Sequence, residues 1–462
     1  MASASKRNGE KLPDSITRIS VEGYKSIYAR QSIDVRPLTI LAGPNSSGKS
    51  SLIQPLLLLK QTLEASYDPG ALLLNGPNLK FTKAEQLLSK RVNGNATRQF
   101  SVEVELNNTQ SVSSAFVKEA GKGFVVDQTD YSNADNTMSL KANGLIIGIE
   151  KSKKSPEISK DVEMKPVAVR VRCFLKVGFQ IYDNTHINNI FHGMLLSTLG
   201  QYHILNKVEE HLSSVIHLPG LRGNPLRTYP LSAVGMTFPG TFENYVASVI
   251  TNWQSEKNSA ALESLFQDME ILGLTWKVVA KAVDDTQVEI LVGRLPRSAP
   301  GGSKDLVSIA DVGFGVSQTL PVVVALHAAR PGQLVYLEQP EIHLHPRAQW
   351  QMAQVLVNAA NRGVKVVVET HSHLILLGVQ TLIAEGKIDA DFVKLHWFQR
   401  DKQGATKVTT AEIDSRGSFG AWPEDFGDVT LEAEGRFLRA YHEQPTSEEV
   451  GLGQETVKTP RR

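Results

Sequence analysis

The stretch GPNSSGKSS, residues 43–51, restricts the possible folds of this chain more than any other. It matches G-x-x-x-x-G-K-[ST], a loop that leaves a strand and enters a helix. Gly43 and Gly48 let the backbone curl so that its N–H groups face phosphate oxygens. Lys49 adds a charge beside the β- and γ-phosphates, and the Ser50 hydroxyl suits Mg²⁺. A helix starting at Lys49 directs its positive end at the same anion. The whole run Gly43, Pro44, Asn45, Ser46, Ser47, Gly48, Lys49, Ser50 and Ser51 is therefore the expected contact segment for ATP with Mg²⁺. Its flanks agree: SIDVRPLTILAG (32–43) reads as a strand and KSSLIQPLLLLKQTLEAS (49–66) as a helix. Pro55 inside that helix is a defect, expected to kink or crowd it.

Such a loop needs an acidic group at the end of a neighbouring strand to hold Mg²⁺ through water. LVYLE ends in Glu338 and supplies one. The next residue is Gln339, where a water-activating carboxylate is expected. An amide cannot take a proton from water at neutral pH, so turnover is expected to be slow. Glu341 is the nearest spare carboxylate.

DVGFGVSQTLPVVVALH (311–327) sets two glycines and a Ser-Gln pair before a helical run, which can present N–H groups and a hydroxyl to phosphate. A Gly-rich turn with a helix cap has the same look. VVVETHSH (366–373) ends a strand at Thr370 and His371, and that histidine can hydrogen-bond a γ-phosphate or be structural. In EIHLHP, Glu341, His343 and His345 would share one face if the segment were a strand, which offers a metal site as an alternative.

From residue 334 onward strands and helices alternate: 334–338 strand, 346–361 helix, 364–370 strand, 373–385 helix, 392–399 strand. That alternation signals a parallel α/β sheet. Earlier, SITRISVEGYKSI (15–27) reads as a strand. RQFSVEVEL, SAFVKEA, GLIIGIE and VAVRVRCFLKVGFQIY suggest an antiparallel sheet within 98–180. Residues 187–216 and 241–272 have helical periodicity. KSKKSPEISKDVEMK (151–165) reads as a solvated loop, with nucleic-acid contact as the other reading.

Composition closes several doors. Of 462 residues, 41% are apolar and 21% charged, which is globular usage, and a formal charge of +1 provides no global field toward nucleic acid or membrane. Cys173 is the only cysteine, so no disulfide forms within the chain, which fits a reducing cytoplasm. The N-terminus has no apolar core of signal-peptide length, and the run LIQPLLLLKQTL is too short to span a bilayer. A cytoplasmic protein with no membrane partner is expected.

As a set, ISVEGYKSI, GPNSSGKSSLIQPLLLLKQ, LPGLRGNPLRTY, VGFGVSQTLPV, LEQPEIHLHPRAQ and VVETHSHLIL resemble an ABC/SMC-type ATPase head. More closely they are similar to the stand-alone AAA-type ATPases related to the OLD (overcoming lysogenization defect) family. The resemblance implies an α/β P-loop head with an inserted helical and antiparallel region. OLD-type nucleases carry a Toprim module, but no D-x-D motif of the Toprim kind follows His371 apart from DADF (389–392), and no Toprim-sized unit follows that, so none is expected. The expected organisation is a disordered lead (1–14), ATPase lobe I (15–97), the inserted region (98–300), ATPase lobe II (301–440) and a disordered tail (441–462).

Carried over residue by residue, the resemblance makes Gly315 and Ser317 contacts to the γ-phosphate of a second copy in a head-to-tail homodimer or higher homo-oligomer. His371 becomes the switch histidine, and His343 to Pro346 the segment that communicates between heads. Glu338 and Gln339 take the metal-linked and water-facing positions. Gln61 and Gln86 are candidates for a Q-loop glutamine. Arg222 and Arg227 stand as structural or phosphate-facing. Relatives in antiphage defence (Septu, PARIS and similar pairs) work beside a separate effector, so a nuclease or toxin partner is implied. A RecF-like DNA-binding ATPase and an ATP-stabilised scaffold are the alternatives.

Overall fold

The computed structural model describes residues 13–90, 94, 96–134, 136–147, 162–183, 186–191, 200–295, 304–420 and 428–443. Most of the expected lead and tail, and most of the lysine-rich segment 151–165, lie outside the described residues.

A six-stranded sheet carries the strands expected from the sequence. Its members are β3 (Leu38–Ala42), β12 (Ile216–Leu218), β17 (Leu334–Glu338), β18 (Lys365–Glu369), β19 (Val393–Arg400) and β20 (Thr406–Ala411). The order is β12-β17-β18-β3-β19-β20, parallel from β12 to β19, with β20 antiparallel at the edge. LTILA, LVYL and VVVE are buried on both faces, the pattern of a sheet covered by helices on either side. Parallel strands end together, so the C-terminal ends of β3, β17 and β18 sit side by side.

The covering helices are α1 (Lys49–Glu64), α5 (Phe314–Ala328), α6 (Pro346–Asn361) and α7 (His373–Ala384). α1 passes through Pro55 unbroken, and Pro55 is buried within it. α6 begins with Pro346 in its first turn, and the His345 side chain accepts from Arg347 N–H. α7 is capped by Ser372, whose side chain accepts from Ile375 N–H.

A second, seven-stranded antiparallel sheet contains β1 (Ile16–Glu22), β2 (Gln31–Asp34), β4 (Gln99–Leu106), β5 (Gln110–Glu119), β6 (Gly123–Ser132), β7 (Thr137–Lys141) and β8 (Ile146–Ile147), in the order β2-β1-β4-β5-β6-β7-β8. β1 pairs directly with β4, so this sheet runs across the boundary expected at 97/98. One apolar core joins Ile19, Phe100 and Phe116 of this sheet to Leu52 and Leu56 of α1 and to Tyr336 and Val367 of the parallel sheet.

The run 167–182, expected as one strand, is a hairpin of β9 (Val162–Val171) and β10 (Phe174–Asp183). It turns at Arg172, with φ +54°, whose guanidinium donates to the Thr62 and Leu63 carbonyls at the end of α1. Residues expected to open a helix at 187 instead form β11 (His186–Phe191), paired with β10, and α2 (Gly200–Ser214) follows. Strand pairing overrode the local helical period there. The helical stretch 241–272 is two helices, α3 (Val246–Ser255) and α4 (Ser259–Ile271). Lys257, at φ +52°, breaks it, and the Asn258 side chain caps the second helix. A four-stranded sheet of β13 (Tyr229–Pro230), β14 (Val278–Ala282), β15 (Gln287–Gly293) and β16 (Leu306–Ser308) has no counterpart in the sequence reading.

The chain divides into two units, Met1–Gly420 and Ala421–Arg462, and α8 (Asp428–Glu443) is the described element of the second. Among the described residues no helix is long and apolar enough to cross a membrane.

Candidate functional site

The loop after β3 is shaped from outside as well as by its own glycines. Gly43 has φ +144°, and a Cβ on it would lie 2.2 Å from the Phe398 carbonyl oxygen of β19. Gly48 has φ +106°, and a Cβ there would lie 2.2 Å from Thr406 Oγ1 of β20. Thr406 donates its hydroxyl to the Ser47 carbonyl at 2.8 Å, and Arg400 Nε donates to the Ser46 carbonyl at 2.7 Å. The β19–β20 hairpin thus takes up the Ser46 and Ser47 carbonyls of the loop. Ser46 itself is left-handed, with φ +59°.

Lys49 is buried, and its ammonium donates to the carbonyls of Gly43 (3.0 Å) and Pro44 (2.9 Å). Burial lowers its pKa, and the negative charges of Glu369 and Glu341 oppose that fall. Ser47 Oγ is buried without a hydrogen-bond partner. A cation, a buried orphan hydroxyl and a curled backbone in one loop fit a polyphosphate.

Strand position pairs Ser50 with Glu338 as the expected Mg²⁺ partners. The Ser50 hydroxyl instead faces Glu369 at the end of β18, 2.9 and 3.1 Å from the two carboxylate oxygens. Tyr336 donates its hydroxyl to the same carboxylate at 3.0 Å. Burial raises the Glu369 pKa, against the opposing effect of Ser50 and Lys49. Glu338 lies opposite Glu369 in register, one strand further from the loop. Its Oε1 is 3.2 Å from His217 Nε2, and its Oε2 accepts from Gly220 N–H at 3.2 Å. Burial would raise the Glu338 carboxyl, but His217, the Gly220 amide and the Arg222 charge hold it below the ordinary range. The Ser50 hydroxyl and the Glu369 carboxylate beside it are hard oxygen donors, of the kind that suits Mg²⁺.

Gln339 leaves β17 at φ +44°, a strained conformation for a residue with a Cβ, and its N–H donates to the Glu369 carbonyl at 2.7 Å. A Cβ on Gly220 would lie 3.8 Å from Gln339 Oε1, so the amide reaches toward that loop. Glu341 is buried. Its Oε1 accepts from the Thr370 hydroxyl (2.8 Å) and His371 N–H (2.9 Å), while Oε2 has no partner. This carboxylate fixes the backbone of His371. Burial and then the Lys49 charge lower the His371 pKa, so its ring is neutral at neutral pH.

EIHLHP is a turn, not a strand, which removes the premise of a shared ligand face. His343, at φ +69°, packs on Phe314, and His345 caps α6. Among the described residues no group of three His, Cys, Asp or Glu is placed to hold a metal.

Gly315 lies in the first turn of α5, where a Cβ would meet the His343 carbonyl at 3.4 Å. Ser317 is buried and donates its hydroxyl to the Phe314 carbonyl at 3.2 Å. Phe314 is 51% exposed beside it. Arg222 resolves as structural: it is buried and donates to the carbonyls of Gln318 (3.1 Å), Glu338 (2.9 Å) and Gln339 (3.3 Å). Gln318 answers by donating to the Gly223 carbonyl at 2.7 Å. Desolvation pulls the Arg222 pKa down to about 10. Arg227 is exposed and forms a forked pair with Asp311. Neither Q-loop candidate faces the phosphate loop. Gln61 is buried against Leu73, Asn78 and Leu79, and Gln86 accepts from Thr82 and Lys83 N–H.

Sequence reasoning missed Glu369 and His217. The ETHS string did contain a carboxylate beside the named histidine. Nothing in the sequence signals that His217, far away in the chain, meets Glu338.

Two family models match. One, described as an AAA ATPase domain, covers residues 15–192. The other, described as "AAA domain, putative AbiEii toxin, Type IV TA system", covers residues 297–377. The first spans the phosphate loop, and the second spans α5, Glu338 and His371. No curated protein matches. Similar solved structures include an SMC head bound to the C-winged helix domain of ScpA, 12% identical, covering 87% of this chain and 98% of that one at a TM-score of 0.43. The SMC head domain from Thermotoga maritima is 11% identical, with 86% and 100% covered at a TM-score of 0.39. The Pyrococcus furiosus Smc head domain with an extended coiled coil, bound to the C-terminal domain of ScpA, is 11% identical, with 93% and 100% covered at 0.41. The described residues form the mixed α/β fold of a P-loop ATPase, and two segments of the chain match AAA-type ATPase domain models.

Proposed function

We propose that this protein binds ATP with Mg²⁺, hydrolyses it slowly, and uses the bound state to pair with a second copy and signal to a separate effector. The observation that carries the first part is the convergence of Lys49, Ser50, Glu369 and His371 at the ends of β3 and β18. Gly43 to Ser51 cradle the phosphates, and Lys49 neutralises their charge. When bound, Mg²⁺ polarises phosphate oxygens and offsets the charge that develops on them. Neutral His371, fixed by Glu341, donates a hydrogen bond toward the terminal phosphate.

Slow turnover follows from Gln339. An amide orients water but does not accept its proton, and loss of a general base commonly lowers rate by about 10²–10⁴-fold. A long-lived ATP-bound state suits a timer better than a motor. The effector reading, a nuclease or toxin in the manner of OLD-related defence heads, rests on the sequence resemblance.

Titration with a fluorescent ATP analogue tests the core of this reading. Tight binding by the wild type and at least about tenfold weaker binding by Lys49→Ala is the expected result, since Lys49 supplies the charge at the phosphates. Equal binding by both sinks it. A pulldown with ATP, with ADP and without nucleotide tests the effector: no partner in any state removes that part.

A further inference from the structure

Two carboxylates stand side by side at the strand ends, and their hydrogen bonds divide them. Glu369 is on β18, the strand next to the phosphate-loop strand, and both its oxygens face Ser50. The Tyr336 hydroxyl and the strand-end hydrogen bond from Gln339 N–H fix it there. Glu338 is on β17, one strand spacing of about 4.8 Å further from the loop, and it leans the other way, to His217 of β12 and the Gly220 amide.

His217 is built for that contact. It is 1% exposed and stacked on Tyr336, with ring centroids 5.5 Å apart. Its Nδ1 lies 3.0 Å from Asn78 Nδ2, and the same amide nitrogen donates to the Gly240 carbonyl at 3.0 Å. An amide NH₂ only donates, so Nδ1 accepts and the ring proton sits on Nε2, facing Glu338. Both oxygens of Glu338 are thereby engaged on the side away from the loop.

We propose that Glu369, rather than Glu338, is the carboxylate that holds the nucleotide-linked divalent cation together with Ser50, while Glu338 is a half-buried strut clamped by His217 and Gly220. This rests on the ATP site of the preceding subsection. It reassigns the acid that the strand position alone selects.

The test separates cation linkage from nucleotide binding. Affinity for a fluorescent ATP analogue is measured in EDTA and in Mg²⁺ for the wild type, Glu369→Gln, Glu369→Asp and Glu338→Gln, with melting curves in EDTA as the check on folding. Glu369→Gln should cut the tightening by Mg²⁺ about tenfold or more while leaving the EDTA affinity within about twofold. Glu369→Asp, which keeps the charge, should restore part of it. Glu338→Gln should keep the tightening within about threefold. Loss of the magnesium effect in Glu338→Gln, alone or together with Glu369→Gln, overturns the assignment, as does its retention in Glu369→Gln. Lys49→Ala reports separately: if it binds like the wild type, or if the wild type does not bind, the nucleotide reading itself fails and takes this assignment with it.

Discussion

Replacing Gly48 with alanine tests whether the phosphate loop is shaped by the β19–β20 hairpin. Two penalties follow from the geometry. At φ +106° a residue with a Cβ is strained by about 1–2 kcal/mol. The new Cβ would also sit 2.2 Å from Thr406 Oγ1 and 2.9 Å from Ser26 Oγ, so the threonine hydroxyl must move. It then gives up its 2.8 Å bond to the Ser47 carbonyl and its 2.8 Å contact with the Ser26 hydroxyl, each worth about 0.5–1.5 kcal/mol net. Gly48→Ala should therefore cost about 2–5 kcal/mol. Thr406→Ala should cost about 1–3 kcal/mol, from the same two contacts. In the double variant the clash with Thr406 is gone, the Ser26 hydroxyl freed from Thr406 can rotate aside, and the backbone strain is what is added. The cycle should show the pair less destabilised than the sum by about 1–3 kcal/mol. Equilibrium denaturant unfolding of the four proteins without nucleotide gives the number. Additivity within about 0.5 kcal/mol would mean that the hairpin does not clamp the loop.

The two arginines of the LRGNPLR loop should separate cleanly. Arg222→Ala strands up to three main-chain carbonyls and should lower the melting temperature by several degrees, at about 1–3 kcal/mol per unsatisfied group. Arg227→Ala breaks only an exposed pair with Asp311 and should leave melting unchanged; equal effects would contradict this division. His396 gives a pH signature. Burial depresses its pKa to about 4 from 6.5. The unfolded chain therefore binds this proton first. The linked stability, about 3 kcal/mol, is full above pH 6.5 and is lost as pH falls toward 4. Melting curves of the wild type and His396→Gln across pH 4–7 should converge at the acid end; parallel curves would rule the linkage out.

The parallel-sheet core was legible because its signals are local. LVYLE, KVVVE and LTILA are apolar runs of strand length bounded by turns, and the helices between them carry their own caps at His345 and Ser372. The antiparallel region was legible only where alternation was clean. GFVVDQTDYS, with Asp and Gln in its middle, went unread as β6, and the left-handed turn at Arg172 hid a hairpin inside one long run. The residues of the phosphate loop announced themselves. Their partners did not, because side-chain direction at a strand end depends on neighbours far away in sequence. Glu338 turns to His217 and Glu369 to Ser50 for reasons that lie in β12 and in strand order. Arg222 reads as either structural or phosphate-facing until its three carbonyl partners are seen.

Single-turnover ATP hydrolysis by the wild type and Gln339→Glu is the most direct test of the claim that the amide at 339 sets the clock. The expected result is a slow wild type and a variant faster by about 10²–10⁴-fold, with nucleotide affinity unchanged. A fast wild type whose rate does not respond to Gln339→Glu would contradict it.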